Sequence, residues 1–219
     1  MTRLIVIRHG HSAANNAQVF SGMLNTPLSA VGERQAEYLA EYLAANERID
    51  KIYVSGLTRT VQTATPTAKR LGLPLHTERG FQEIFAGIWE NVKYKKINLL
   101  YHDEWMTWGY DFAHARCPSG ESVRAFYRRV EAALHRLCAQ NENKTVMLVT
   151  HATPLRVLCC MANGGDIEDV GKVKFPDNAS INVFHYEDGT LTPEQINLVV
   201  YPCSLIASRA HPLPPRREK

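Results

Sequence analysis

Leu4-Ile5-Val6-Ile7-Arg8-His9-Gly10 is the stretch from which the fold of this chain can be read. Four successive apolar residues, mostly β-branched, suit a strand buried on both faces, and the strand stops where Arg8, His9 and Gly10 begin. Two later segments repeat the pattern. Residues 49–54 form an apolar run that passes through Ser55-Gly56-Leu57 into a helical stretch beginning near Thr58 and ending near Gly72 and Pro74. Residues 145–149 form another, followed at once by His151 and a helical stretch over 154–161. Helical stripes complete the alternation: Ala36, Leu39, Ala40 and Leu43 within 30–45 behind Ser29, and Val123, Phe126, Val130, Ala133, Leu134 and Leu137 within 123–137 behind Ser122. Strand–helix alternation predicts an α/β fold with a mostly parallel central sheet flanked by helices on both faces. A short strand is expected at 75–77. Two more, at 180–185 and 191–198 around Glu187-Asp188-Gly189, are expected near a sheet margin where the first would be open to pairing with a second copy.

The chain has 219 residues, 45% of them hydrophobic and 21% charged, a balance that excludes disordered and fibrous classes. One domain is expected over residues 1–205, with an aromatic-rich insertion at about 81–117 forming a small cap, and a Pro-rich extended tail over 206–219. No run nears the ~20 apolar residues that a membrane-spanning helix needs. With no leader-like segment at the start, a cytoplasmic protein without a membrane partner is expected. Five cysteines without a CxxC pair read as reduced thiols rather than a disulfide framework. A formal charge of +3 is too small to predict a nucleic-acid partner.

In a parallel sheet, ligands bind beyond the carboxyl ends of the strands. That is where Arg8, His9, Arg59 and His151 all fall. Two guanidiniums and two imidazoles make an oxyanion pocket, and bidentate arginine geometry points to a phosphoryl group. Phosphoryl transfer asks mainly for positioning and charge, and neutral imidazole is a competent nucleophile, so no cofactor is called for. His9 and His11 stand two apart as metal ligands sometimes do, but no further ligands at zinc-like spacing accompany them, and no metal is expected.

The motifs extend well beyond this cluster. Arg8-His9-Gly10 with Asn15, Phe20-Ser21-Gly22, Pro27-Leu28-Ser29, Gly32, Ser55 through Thr60 with Gln62-Thr63-Ala64, Glu83, Gly87, Trp89, Pro118 through Ser122, and Val149-Thr150-His151 follow in unbroken order. In this the chain resembles the histidine phosphatase superfamily, in its phosphoglycerate-mutase-like branch, over about residues 3–200. The resemblance implies that His9 is transiently phosphorylated, that Arg8, Arg59 and His151 hold phosphoryl oxygens, and that Glu83 is the general acid. It also implies substrate contacts at Asn15, Ser21 and Gly22, and at Ala152, where relatives commonly have glycine.

Within the family, the leading expectation is a phosphomonoester hydrolase acting on a small phosphorylated metabolite. The alternative is a 2,3-bisphosphoglycerate-dependent mutase, and a minor one is a phospholigand-binding protein without turnover. Resembling mutases carry Arg and Tyr in a Glu-Arg-His-Tyr-Gly stretch, whereas here Glu83 is followed by Ile84, Phe85 and Ala86. The pocket should therefore be less polar and hydrolysis favoured. Glu90 and Asp103 are competing acids, Glu121 is expected at the start of a helix, and Lys93, Lys95 and Lys96 read as a solvated face. The chain is expected to be a monomer or homodimer.

Overall fold

The computed structural model describes residues 1–206. The expected tail over 206–219 lies outside the described residues except for Ile206. The elements in chain order are β1 (Thr2–Arg8), α1 (Ala13–Ala17), α2 (Ala30–Asn46), β2 (Lys51–Val54), α3 (Thr58–Leu71), β3 (Leu75–Thr77), α4 (Tyr94–Leu100), α5 (His102–Tyr110), α6 (Val123–Ala139), β4 (Thr145–Thr150), α7 (Ala152–Ala162), β5 (Ile181–Glu187) and β6 (Thr190–Leu198). Short 3-10 turns punctuate the loops, among them Ile167–Lys172.

The six strands form one sheet in the order β3-β2-β4-β1-β5-β6. β3, β2, β4 and β1 pair in parallel, whereas β5 runs antiparallel to β1 and β6 antiparallel to β5. The sheet is therefore mixed, which corrects the expectation of a mostly parallel one. For β6 the cause lies in connection length, because the two residues between β5 and β6 allow a hairpin but no crossover. A second correction concerns β5, which is enclosed between β1 and β6 and has no open edge. The outer edge belongs to β6, where Pro193 faces Phe184 and the register shifts twice between Ile181 and Phe184.

Alternation along β1 divides the core. Ile5 and Ile7 join Leu39 and Leu43 of α2 and Ala64 and Ala68 of α3 on one face. Leu4 and Val6 join Phe126, Val130 and Leu134 of α6 and Leu155 and Leu158 of α7 on the other. Helices thus cover both faces, as the apolar character of the strands requires. The aromatic insertion folds into α4, α5 and short turns, and Trp89, Tyr94, Trp105 and Trp108 pack into the same cluster as α6 and α7.

Helix starts follow their caps. Ser29 accepts from the Gly32 amide and Ser122 from that of Ala125. α1 escaped the sequence reading because it is one turn long, held by a reciprocal Ser12–Asn15 capping box. All five cysteines are free, and only Cys203 is exposed. No helix among the described residues is long and apolar enough to cross a membrane.

Candidate active site

β1 and β4 are parallel neighbours with Arg8 paired to Thr150, so His9 and His151 leave the sheet side by side. Their rings meet edge to face at 5.2 Å between centroids. The His9 amide donates to the Thr150 carbonyl at 2.9 Å, fixing the start of the loop. Its ring nitrogen Nδ1 lies 2.7 Å from the Gly10 carbonyl oxygen. A carbonyl only accepts, so Nδ1 carries the hydrogen and Nε2 the lone pair. Burial, then the charges of Arg59 and Arg8, hold the His9 pKa well below the ordinary imidazole value of 6.5. His9 is therefore a neutral imidazole with its nucleophilic nitrogen available.

Gly10 and Gly32 face each other where this loop crosses the first turn of α2. A Cβ on Gly32 would stand 2.0 Å from the His11 carbonyl oxygen, so α2 reaches the loop after β1 only through a residue lacking that carbon. His11 itself is packed away, its amide on Gln35 Oε1 at 2.8 Å and its Nδ1 on Ser29 Oγ at 2.8 Å. Among the described residues, no group of three or more His, Cys, Asp or Glu side chains is arranged to hold a metal ion.

Arg59, at the second position of α3, is fully buried. It donates from Nη1 to the Leu24 carbonyl and from Nη2 to that of Gly22, both at 2.7 Å, and from Nε to His151 Nδ1 at 3.2 Å. Because Arg59 can only donate, His151 Nδ1 accepts and Nε2–H is given to Ser55 Oγ at 2.8 Å. Ser55 passes the chain to Thr60 Oγ1, which donates to the Leu57 carbonyl. His151 thus has both ring nitrogens engaged and lies fully buried behind the pocket wall. Burial, then Arg59 and His9, keep it neutral.

Arg8 is likewise buried, with Nη1 donating to the Pro176 carbonyl. Its Nε–H is buried without a hydrogen-bond partner. Burial lowers the pKa of both arginines, that of Arg59 to about 10, and a guanidinium is in general not deprotonated in proteins. Two desolvated guanidiniums beside a neutral nucleophile, one with an unanswered donor, form a site that an oxyanion would complete.

Glu83 lies on the same pocket with both oxygens engaged, Oε1 accepting from the Ile84 amide at 2.8 Å and Oε2 from that of Thr153 at 3.2 Å. The second contact sets it at the first turn of α7. Glu90, a competing acid in the sequence, instead accepts from the amides of Met23, Leu24 and Ala86 and ties the 22–24 loop to the 84–90 loop. Gly22 fits between them at φ +26°, where a Cβ would fall 2.2 Å from Glu90 Oε1. Glu121 is paired with Arg129 at 2.8 Å. Lys93, Lys95 and Lys96 are exposed.

Arg8, His9, Arg59, Glu83, Asn15, Ser21, Gly22 and Ala152 line one pocket. Of the residues expected at the site, only His151 stands behind this lining. Phe20, Tyr94, Trp108, Thr153 and Phe175 complete it and were not singled out as site residues from the sequence. Phe20 and Trp108 stood within recognised motif or cap segments, but their facing the phosphate cluster depends on how the insertion folds.

With this geometry in place, comparison with known proteins is decisive. The family model of the histidine phosphatase superfamily (branch 1) matches residues 4–199. The chain belongs to that superfamily. The chain is 32% identical over 188 residues to phosphoserine phosphatase 1 of Hydrogenobacter thermophilus, covering 86% of this chain and 88% of that one. It is 31% identical over 156 residues to the adenosylcobalamin/alpha-ribazole phosphatase of Salmonella typhimurium, covering 71% of this chain and 77% of that protein. Among solved structures, the alpha-ribazole phosphatase from Shigella flexneri superposes with a TM-score of 0.81 at 28% identity, over 91% of this chain and 98% of that one.

Proposed function

We propose that this histidine phosphatase hydrolyses small phosphomonoesters through a phosphohistidine on His9. The observation that carries the reading is the neutral His9, with its Nε2 lone pair available, between the buried guanidiniums of Arg8 and Arg59. Nε2 attacks phosphorus as the bond to the leaving oxygen breaks, and Glu83 gives that oxygen a proton. Glu83 then takes a proton from water as water attacks the phosphoryl group and the P–N bond breaks, regenerating His9. Arg8 offers its unanswered Nε–H to an equatorial oxygen, and Arg59 adds charge from the opposite segment. His151 keeps Arg59 oriented through its Nδ1, and it takes up a proton there to donate to a phosphoryl oxygen when the anion displaces the Arg59 Nε–H.

The two guanidiniums supply the charge that a metal would otherwise bring, so turnover is expected without one. Phosphatases among the relatives support hydrolysis over isomerisation, as does the apolar Ile84-Phe85-Ala86 stretch after the acid. The test combines phosphate release from p-nitrophenyl phosphate in EDTA with trapping of phosphohistidine, using the wild type and His9→Ala. Activity in EDTA, with a trapped phosphohistidine that His9→Ala abolishes, is expected. A 3-phosphoglycerate isomerisation rate, after priming with 2,3-bisphosphoglycerate, that exceeds hydrolysis would establish the mutase instead.

A further inference from the structure

Part of the pocket wall is aromatic. Phe20, Tyr94, Trp108 and Phe175 line it, drawn from the loop after α1, the start of α4, the body of α5 and the loop before β5. These rings are braced. Trp108 meets Phe20 edge to face at 5.3 Å between centroids and Phe112 at 4.9 Å, while Tyr94 stacks on Trp105 at 5.9 Å. Phe175 is held differently, with the Arg156 guanidinium 4.1 Å from its ring centroid and 4.9 Å from that of Phe112.

Arg156 is buried on α7, yet it takes no part in the phosphate cluster. Its guanidinium donates to the carbonyls of Val170, Gly171 and Val173, the segment leading into Phe175. A planar fork that bonds three carbonyls and stacks on a ring fixes both the path of that loop and the plane of Phe175. Among the described residues, the charged side chains on the pocket are Arg8, Arg59 and Glu83, and each serves the phosphoryl group or the leaving oxygen. A carboxylate or ammonium elsewhere on a substrate would lose water against ring surfaces and meet only the neutral polar groups of Asn15, Ser21 and Thr153, with no opposite charge left to pair with it.

We infer that the alcohol portion of the substrate is an uncharged aromatic or otherwise planar group seated against Phe20, Trp108 and Phe175, with Arg156 positioning Phe175. This rests on the hydrolase reading. It separates the chain from the phosphoserine phosphatase it resembles, whose named substrate carries two further charges.

Benzyl phosphate, phosphoserine, 3-phosphoglycerate and glycerol 3-phosphate all lose an aliphatic alcohol, so comparing them tests recognition rather than leaving-group reactivity. The expected kcat/KM for benzyl phosphate is at least tenfold above that for phosphoserine or 3-phosphoglycerate. In Phe175→Leu the advantage should shrink below threefold, chiefly through KM. Arg156→Lys keeps the charge but not the planar fork, and should raise KM for benzyl phosphate several-fold with kcat retained. Equal or better turnover of phosphoserine overturns the inference while leaving a phosphohistidine hydrolase in place. A preference that survives Phe175→Leu overturns the assignment of the wall. No hydrolysis of any ester and no trapped phosphohistidine removes the hydrolase reading, and the inference with it.

Discussion

His9 and His151 stand in one buried cluster but differ in what their nitrogens can do. His9 spends one nitrogen on the Gly10 carbonyl and keeps the other for chemistry, whereas His151 spends both. His9→Ala should lower kcat on the order of a thousandfold or more, read by steady-state phosphate release. Ser55→Ala leaves the buried Nε2–H of His151 without its acceptor. It is expected to cost about 1–3 kcal/mol of stability, seen as a lower urea midpoint, together with a fall in kcat as Arg59 loses its fixed partner. Because both imidazole pKa values are depressed, the C2–H resonances of His9 and His151 in the unliganded protein should show no titration step near pH 6.5 by NMR. Saturating phosphate, by adding negative charge, should move both pKa values upward. The polar residues of this cluster were legible in the sequence because each follows a strand that could be recognised. The engagement of both His151 nitrogens was not, since it depends on the side chain of Ser55, nearly a hundred residues away.

At the scale of elements, the strands and long helices were readable because apolar period and capping residues agreed, as at Ser29 before α2 and Ser122 before α6. The insertion was less readable. Its aromatics are too dense for a clear helical stripe, and α4 and α5 take their order from packing against Phe20 and Trp89. The direction of β5 was also hidden, since a single strand's apolar pattern does not say which way it runs. Close approach of α2 to the catalytic loop gives a test at this scale. Gly32→Ala would press a methyl into the His11 carbonyl and is expected to cost about 1–3 kcal/mol or more by denaturant unfolding. It should also reduce activity out of proportion to the stability lost, because the displaced loop carries His9.

For the whole molecule, stability should depend on pH through these buried groups. Unfolded, His9 and His151 would titrate near pH 6.5, while in the folded chain their pKa values lie lower. The unfolded state therefore binds more protons between those limits, and stability should fall as pH drops below about 6.5. Melting temperature followed from pH 8 to 5 checks this. Phosphate at a hundred times its dissociation constant should add about 2.7 kcal/mol to the stability. The ends of the sheet bear on the behaviour of many molecules together. One margin is only three residues long, and the other carries Pro193 and a broken register. A strand arriving from a neighbour finds at neither margin a long, regular row of donors and acceptors to copy. Crowding should therefore concentrate the protein without seeding fibrils, and any dimer it forms is expected to use helical or cap surfaces rather than a continued sheet.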